Sequence, residues 1–347
     1  MLESTLGRLA AGENLSLDEM SAAVDAIMQG QCTQGEIGLL LTGLRHKGET
    51  VKEIAGAALA MRRHMTPIRT SRRGIVDTCG TGGDGSGTFN ISTAAAIVAA
   101  AAGVPVAKHG NRRVTSRTGS ADVLQHLGVN VEASVPVVEA CLEELGICFC
   151  FAPLLHPAMK QVAEVRRKLG VPTIFNLLGP LTNPAGAPFQ MIGVGRAELR
   201  EPLAKALALL GTQRAIVVRG DDGLDEVTLA APTQVSKVRH GQPGSNTAAQ
   251  LAEQVGHFTW QPEDFGVPRS DLASLSVEGP EQSAAVIRLV LAGERGPARD
   301  ITVLNAAAAL WTAGKASSPR ECAKLAAEAI DRGAAKDLLA RWAKMTS

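Results

Sequence analysis

The segment DTCGTGGDGSGTFNIST, residues 77–93, places five glycines between an apolar run and the helix-forming segment AAAIVAAAAG at 94–103. The order strand, glycine loop and helix lets backbone N–H groups converge on an anion at the start of the helix. Glycine also lets a ligand approach the main chain closely. Four polar side chains follow the glycines: Thr88, Asn90, Ser92 and Thr93. The segment therefore predicts an anion-binding loop at the end of a strand.

The glycine spacing matches known nucleotide-binding loops only in part. Gly80, Gly82 and Gly85 fit GxGxxG, but residues 99–110 contain no acid to bind a ribose hydroxyl, which argues against an NAD site. The loop also lacks the lysine of a Walker A motif. A flexible turn without ligand is the alternative, although five glycines with four polar side chains favour a binding loop.

A second polar segment, KHGNRRVTSRTGSAD at 108–122, follows the apolar run VPVA. In a parallel sheet it lies at the same carboxyl edge as the glycine loop. It carries four cations interleaved with amide and hydroxyl groups. A solvated charged surface is the alternative, but the hydroxyls among the cations favour a phosphate pocket.

A third segment, RGDDGLDEVTL at 219–229, holds four carboxylates within six residues. On a strand, Asp225 and Glu226 would point to opposite faces, so acting together requires a loop, which Gly223 makes plausible. Paired carboxylates suit Mg²⁺, which bridges protein oxygens and substrate phosphates. An acidic surface turn is the alternative for this segment taken alone.

Apolar runs around these segments alternate with helical stretches that end in Gly103, Gly128, Gly146 and Gly211. The predicted strands are Ile75–Asp77, Val104–Ala107, Val129–Val131, Ile147–Phe151, Met191–Val194 and Ala215–Val218. Residues 157–170 and the tail from residue 280 are predicted helical, and residues 172–188 irregular. The alternation predicts an α/β domain with a mostly parallel central sheet.

The first 66 residues predict a small all-helical unit. Each of three helices begins at a capping box, in which a hydroxyl and a glutamate three residues later satisfy each other's backbone N–H groups. These boxes are Ser16 with Glu19, Thr33 with Glu36, and Thr50 with Glu53. Gly30 and Gly48 are placed to end helices. We expect a helical domain at 1–70, with a helical contribution from about 157–187, and an α/β domain at 71–347.

Composition excludes several classes of protein. The 347 residues are 45% hydrophobic and 20% charged with a net charge of +1, which argues against disorder, a membrane-surface role or general nucleic-acid binding. Aromatic residues make up 3%, too few for base-stacking platforms. The six cysteines show no metal-ligand spacing and read as buried thiols of a cytoplasmic protein. Residues 1–19 carry no signal-peptide pattern, and no apolar run is long enough to span a bilayer.

Five segments together resemble the anthranilate phosphoribosyltransferase family of tryptophan biosynthesis. They are GTGGDGSGTFNIST at 80–93, KHGNRRVTSRTGSADVL at 108–124, HPAMKQVAEVRRKLG at 156–170, TIFNLLGPLTNPA at 173–185 and DGLDEV at 222–227. The resemblance implies transfer of phosphoribose from phosphoribosyl pyrophosphate (PRPP) to the amine of anthranilate, with Mg²⁺ as cofactor. It also implies a homodimer formed through the helical domain.

The resemblance assigns site residues, each named here by its number in this sequence. For PRPP these are Gly80, Gly83, Asp84, Thr88, Asn90, Ile91, Ser92, Thr93, Lys108, His109, Gly110, Asn111, Arg112, Arg113, Val114, Thr115, Ser116 and Ser120. For anthranilate they are Gly80, His109, Asn111, His156, Met159 and Arg166. For Mg²⁺ they are Ser92, Asp225 and Glu226. No residue is assigned as a general base, because an aromatic amine is already neutral near pH 7.

Some positions depart from the family pattern. Pro172 stands where an arginine usually precedes TIFN, and Arg219 stands where histidine is common. The planar fork of Arg166 suits a carboxylate, whereas its alternative role is a helix-surface cation paired with Glu164 or solvent. Histidines are more often structural than catalytic, so we assign His109 and His156 to substrate contact or site shape.

Two other functions stay open at this point. A pyrimidine-nucleoside phosphorylase shares the two-domain design and would use free phosphate and a nucleoside. A non-catalytic nucleic-acid-binding relative would need a large basic surface, against which the near-neutral charge and the intact Asp225–Glu226 pair argue. A related aromatic amine is a further alternative acceptor.

Overall fold

The computed structural model describes residues 2–112, 117–239 and 247–347. The N-terminal helices are α1 (Glu3–Ala10), α2 (Leu17–Met28), α3 (Gln34–Lys47) and α4 (Val51–Arg63). Capping boxes start α2, α3 and α4 as the sequence predicts, with each hydroxyl and each glutamate in place. Gly30 and Gly48 follow α2 and α3 with φ of 73° and 88°, which favours glycine.

The central sheet joins seven described strands in the order β3-β2-β1-β4-β5-β6-β7. Their bounds are β1 (Val76–Gly80), β2 (Val106–Gly110), β3 (Ile147–Phe151), β4 (Phe189–Gly193), β5 (Arg214–Gly220), β6 (Thr233–Arg239) and β7 (Val255–Trp260). Strands β1 to β5 are parallel, and β6 and β7 are antiparallel to their neighbours. The mostly parallel sheet is thus confirmed.

Helices cover this sheet. They are α5 (Ile91–Ala101), α6 (Ser120–His126), α7 (Val135–Ala140), α8 (Ala152–Leu155), α9 (Lys160–Leu169), α10 (Phe175–Leu178), α11 (Arg200–Leu209), α12 (Ala248–Gln254), α13 (Pro280–Leu291), α14 (Pro297–Thr312), α15 (Pro319–Asp331) and α16 (Ala334–Thr346). The tail from residue 280 is helical, as predicted. No helix in the described part of the chain has the length and apolar character needed to cross a membrane.

One predicted strand is wrong. Val129 and Val131 are buried, but residues 129–131 form no strand, because the Val129 N–H binds the Leu124 carbonyl and the Asn130 N–H binds Thr346 Oγ1. The side chains of the two valines pack in the core, while the backbone here forms a turn after α6. The segment 172–188 is also less irregular than expected, since α10 and the 3-10 turn Gly179–Leu181 lie within it.

Two hydrophobic cores lie on the sheet. In the first, α5 and α14 pack together, with Ile97 and Leu304 fully buried. In the second, the N-terminal helices pack with α9, α10 and α11 and with residues of β4 and β5 such as Ile192 and Val217. Residues 160–181 therefore pack with the N-terminal helices although they are distant in the chain.

Candidate active site

A cavity of ≈ 400 Å³ lies where β1, β2 and β5 end. Parallel strands end at the same edge, so the loops that follow them meet there. The cavity is lined by Cys79, Gly80, Thr81, Gly82, Asp84, Gly85, Ser86, Gly87, Thr88, Phe89, Asn90, Ile91, Ser92, Lys108, His109, Gly110, Asn111, Arg112, Arg117, Thr118, Gly119, Ser120, Asp225 and Glu226. All three polar segments of the sequence thus contribute to one site.

The glycine loop has a backbone that side chains would not tolerate. Gly82, Gly83, Gly85 and Gly87 have φ of 65°, 84°, 71° and 67°. L-residues rarely adopt these angles, so the glycines let the loop curl around the cavity. A methyl group built on Gly195 would lie 2.7 Å from the Asp84 backbone nitrogen, so the loop also rests closely on the chain after β4.

Asn90 joins the glycine loop to the second polar segment. Its Oδ1 accepts a hydrogen bond from the Thr93 N–H at 3.1 Å and so caps α5. Its Nδ2 donates to the Thr118 carbonyl at 3.2 Å. Thr93 does not line the cavity, and its Oγ1 is buried without a hydrogen-bond partner among the described residues, so its contact at the start of α5 is made by its backbone N–H.

Lys108 lies on the cavity floor with its ammonium group buried. Nζ donates to the Thr78 carbonyl and, at 3.0 Å, to Ser92 Oγ. Burial lowers the pKa of Lys108, an effect opposed by Asp77, the Cys79 thiol and Glu226. Two hydrogen bonds and the neighbouring acidic groups thus hold the Lys108 side chain beneath the loops.

Three carboxylates converge on the cavity from two loops. Burial and the adjacent Asp84 carboxyl raise the pKa of Asp225 to about 7. Burial and the charge of Asp225 raise the pKa of Glu226 well above its ordinary value. A methyl group built on Gly80 would lie 3.2 Å from Asp225 Oδ2, so glycine at 80 gives this carboxylate its room. The predicted loop placement of Asp225 and Glu226 is confirmed.

These oxygens fit a hard divalent cation. Carboxylates forced together either bind protons, as the raised pKa values indicate, or bind a cation that neutralises them. No group of three or more His, Cys, Asp or Glu side chains in the described part of the chain is arranged to hold a metal ion, so a cation here would also need oxygens from substrate and water. An open arrangement is typical of Mg²⁺, which takes one or two carboxylates and shares its other positions with water and phosphate. Asp84, Asp225, Glu226 and the Ser92 hydroxyl are the residues here that could hold it.

His109 and His156 form a buried pair beside the cavity, their Nε2 atoms 3.2 Å apart. His109 Nδ1 lies 2.9 Å from the Gly179 carbonyl and therefore carries the proton. The His156 ring also forms a hydrogen bond with the Thr182 backbone. Burial lowers the pKa of His109 to about 3 and that of His156 to about 4. Both rings are neutral at physiological pH and serve as shape and hydrogen-bond groups.

Arg166 lies on α9, outside the cavity lining. Its guanidinium is 5.9 Å from the Phe175 ring centre and donates to Asn176 Oδ1 at 3.4 Å. The alternative partner Glu164 instead pairs with Lys168 at 2.8 Å. No ion pair to Arg166 occurs among the residues described, and burial lowers its pKa. Its charged donors are available to an acidic ligand.

The other predicted positions divide into three groups. Asn111 and Ser120 line the cavity, as does Arg112, which also forms ion pairs with Asp122 and Glu132. Gly83, Met159 and His156 are not part of the lining. Arg113, Val114, Thr115 and Ser116 lie outside the described residues.

Several residues that line the cavity were not assigned to a particular ligand from the sequence, although Arg117 was counted among the four cations of the predicted phosphate pocket. Arg117 lies against Gly87, within 3.4 Å of a methyl group built there, and donates to the Val277 carbonyl at 3.3 Å. Its place in the second polar segment was the available signal. Cys79 also lines the cavity, but burial and Asp77 raise the pKa of its thiol well above 9.0, so it is no thiolate nucleophile.

The two atypical positions lie at the edges of this region. The Pro172 carbonyl accepts from Arg45 at 2.6 Å, which joins the segment before α10 to α3. Arg219 donates to the carbonyls of Gly195 and Gly220 at 3.4 and 3.3 Å. Both residues support backbone beside the site.

Comparison with known proteins places this architecture in a defined class. Residues 3–65 match the helical bundle domain of a glycosyl transferase family, and residues 72–336 match its a/b domain. A helical bundle packed on a mostly parallel sheet, with a glycine loop and carboxylates at the carboxyl edge, defines a two-domain glycosyl transferase.

Individual relatives narrow the class. Anthranilate phosphoribosyltransferase from Moorella thermoacetica is 49% identical over 96% of this chain and 95% of its own, and that from Anaeromyxobacter sp. is 50% identical over 100% and 99%. The crystal structure of the Thermus thermophilus enzyme aligns with a TM-score of 0.89, 43% identity and 98% coverage of both chains. The Saccharomyces cerevisiae enzyme in complex with PRPP and Mg aligns with a TM-score of 0.87, 29% identity and coverage of 99% and 97%. The chain belongs to the anthranilate phosphoribosyltransferase family.

Proposed function

We propose that this protein transfers the phosphoribosyl group of PRPP to the amine of anthranilate, releasing pyrophosphate, as a step of tryptophan biosynthesis. The observation that carries this proposal is the convergence of the glycine loop, the second polar segment and the Asp225–Glu226 loop on one cavity. Full-length similarity to enzymes of this name supports it.

In this proposal the glycine loop binds the pyrophosphate. Its N–H groups and the start of α5 supply partial positive charge where negative charge grows on the leaving group. Asp84, Asp225, Glu226 and Ser92 would hold Mg²⁺, which when bound would supply further neutralisation of that charge. The buried ammonium group of Lys108 adds a fixed charge from below. Departure of pyrophosphate leaves a cation-like C1 on the ribose.

We assign the second polar segment to the ribose phosphate region. Its members in this role are Lys108, His109, Gly110, Asn111, Arg112, Arg113, Val114, Thr115, Ser116 and Ser120. The exposed position of Asn111 and the cavity lining by Ser120 support the assignment. Arg117 is added because its charge reaches the same cavity.

Anthranilate is placed between the cavity and α9. Arg166 binds its carboxylate, since the guanidinium has no acidic partner among the residues described and matches a carboxylate bidentately. Gly80, Asn111 and the neutral His109 contact the ring or amine, while His156 and Met159 shape the access path. The amine is already neutral, so it attacks C1 as the C1–O bond to pyrophosphate breaks, and its extra proton leaves to water. Positioning therefore replaces a general base.

The direct test follows anthranilate fluorescence after addition of protein, PRPP and Mg²⁺, with each omitted in turn. Fluorescence should fall only in the full mixture, with pyrophosphate released in equal amount. No loss with all components present would contradict the proposal. Phosphorolysis of thymidine without PRPP would instead indicate a nucleoside phosphorylase, and salt-sensitive binding to single-stranded DNA without turnover a nucleic-acid-binding relative.

We also propose a homodimer formed through the helical domain, residues 1–70 with about 157–187, next to the α/β domain at 71–347. Leu39 on α3 is 62% exposed, an unusual position for a large apolar side chain, and supports a partner at this surface. We place the protein in the cytoplasm, because all six cysteines are free thiols, which suits a reducing compartment.

A further inference from the structure

A second cavity, of ≈ 730 Å³, lies at the opposite edge of the sheet, where β4 and β5 begin. Its lining includes Arg214, Lys237 and Arg239 together with the aromatic rings of Phe189 and Trp311. The volume lies within the range of small-molecule sites. None of its lining residues belongs to the cavity at the carboxyl edge.

The strand register brings the three cations together. Arg214 on β5 lies directly opposite Arg239 on β6, and Lys237 precedes Arg239 by two residues. Side chains two residues apart on a strand share a face, so all three lie on one face of the sheet. Like charges directly opposite each other destabilise an antiparallel pair. The arrangement therefore has an electrostatic cost unless an anion lies between the cations.

No carboxylate in the described structure offsets this charge. Neither the cavity lining nor the ion pairs of the described ranges join an acid to these three residues. Glu321 accepts from the lining residue Ser317 at 3.0 Å, but it also caps α15. The nearby sequence 240–246, HGQPGSN, contains no acidic residue. Burial, Arg214 and Arg239 lower the pKa of Lys237, as expected for excess positive charge.

The aromatic rings hold the cations in position. Lys237 Nζ is 4.3 Å from the Trp311 ring centre, and the Arg214 guanidinium is 5.9 Å from that of Phe189. Arg214 also donates to the Trp311 carbonyl at 3.1 Å. Two glycines leave space for these cations. Gly256 lies opposite Lys237, and a methyl group built on Gly314 would lie 3.5 Å from Arg214. The charged groups are thus ordered before any ligand arrives, which lowers the entropy cost of binding.

We propose that this cavity binds a multiply charged phosphate compound of nucleotide size, at a site separate from the one where phosphoribosyl transfer takes place. Two guanidinium forks match phosphate oxygens bidentately, and the ammonium group adds a third charge. A single carboxylate would leave two of the three cations without a counter-charge, so the geometry favours several phosphate charges.

The test is a titration of tripolyphosphate without Mg²⁺, followed by tryptophan fluorescence. The variant Lys237→Gln/Arg239→Gln removes two charges from the cavity, and Lys324→Gln/Lys336→Gln removes two exposed charges from α15 and α16 as a matched control. Wild type and the control variant should show the same saturable change. The cavity variant should need at least about tenfold more tripolyphosphate, the effect of losing charged hydrogen bonds. Trp311→Phe should lose most of the signal, which locates the bound anion.

Absence of a saturable signal in the wild type, or an equal shift in both double variants, would overturn the proposal. The second outcome would mean that net charge alone attracts the anion. Anthranilate turnover is measured on the same samples and should be unchanged in both double variants. The fluorescence titration therefore tests the phosphate site, and the turnover measurement separately tests the proposed transfer activity.

Discussion

At the residue scale, the carboxyl groups of Asp84, Asp225 and Glu226 lie close together, which is electrostatically unfavourable when they are ionised. Burial and mutual repulsion raise the pKa of Asp225 to about 7, and they raise that of Glu226 well above its ordinary value. A fold that keeps carboxylates in such a position loses stability unless protons or a cation neutralise them. The raised pKa values of these neighbouring carboxylates therefore indicate a functional site.

Replacing Asp225 and Glu226 together tests both their proposed role in binding Mg²⁺ and their cost to the stability of the metal-free protein. Asp225→Asn/Glu226→Gln should lower turnover on the order of 100-fold, the scale of losing a group that stabilises transition-state charge. The same variant should unfold at a higher temperature than wild type in Mg²⁺-free buffer, because the repulsion is gone. Asp221→Asn, in the same loop but exposed, is the control and should change neither property. Unaltered Mg²⁺ dependence in the double variant would refute the metal assignment.

Arg166 is tested through the acceptor substrate. Arg166→Ala should raise the KM for anthranilate about tenfold or more, since a charge-assisted hydrogen bond contributes roughly 1.5–3 kcal/mol, and leave the KM for PRPP nearly unchanged. The exposed neighbour Arg167→Ala is the matched control on α9. Equal changes in both KM values would mean that Arg166 only supports α9 through Asn176 and Phe175.

The histidine pair predicts a pH dependence of stability. The pKa values of His109 and His156 are lowered from 6.5 to about 3 and about 4, so the unfolded chain takes up protons that the folded chain does not. Their contribution is fully present above pH 6.5 and is lost as the pH falls toward 4, by about 1.4 kcal/mol per pH unit for each ring. Urea unfolding between pH 7.5 and 5 should show a steeper decline for wild type than for His109→Gln/His156→Gln. Parallel declines would contradict it.

At the element scale, the residue at which a helix starts can be predicted from the local sequence. Whether a helical glycine can be replaced by a larger residue cannot, because this depends on the neighbouring helices. The capping boxes of α2, α3 and α4 need only two residues three positions apart, so the sequence predicts them. The strands β6 and β7 were not predicted, because half-exposed antiparallel strands mix polar and apolar residues. The run 129–131 was mistaken for a strand because burial, and not strand pairing, explains its valines.

Two glycines within helices, Gly7 and Gly56, distinguish the effect of helix propensity on stability from the effect of packing. Helix propensity alone favours alanine over glycine by up to about 1 kcal/mol. Gly7→Ala in α1 should therefore stabilise, as a methyl group there has no neighbour within 4 Å. Gly56→Ala in α4 should destabilise by about 1–3 kcal/mol, since its methyl group would lie 2.3 Å from the Leu17 carbonyl oxygen of α2. Chemical denaturation of both variants checks this, and stabilisation by Gly56→Ala would show that α2 and α4 do not pack this closely.

At the scale of the whole molecule, the helical region and the sheet share a core, so the position of Arg166 depends on distant parts of the chain. Residues 160–181 pack with α2, α3 and α4, and the Gly179 carbonyl within them contacts Nδ1 of the cavity residue His109. This packing carries α9 to a place that the linear sequence does not indicate. The proposed role of Arg166 in binding anthranilate therefore predicts that substrate binding depends on assembly of the helical region.

The proposed dimer is tested at the same scale. Leu39→Glu places a charge on an exposed apolar position of α3 and should shift the protein from dimer to monomer, because a buried unpaired charge disfavours an apolar interface. Leu289→Glu, 51% exposed on α13 of the other domain, is the control and should stay dimeric. Light scattering after gel filtration gives the masses, and circular dichroism checks folding. A dimer unaffected by Leu39→Glu would place the interface elsewhere.

The sequence by itself determined the element types around the site, the helix starts and stops, and the three polar segments, because capping, glycine angles and apolar periodicity act over a few residues. Tertiary structure alone decided that Asp84 meets Asp225, that His109 meets His156 as a neutral pair, and that Arg214 lies opposite Arg239. Those distances depend on strand order and register, which bring together residues far apart in the chain. Burial and the charge of new neighbours then set the pKa values, and no local pattern records either of them.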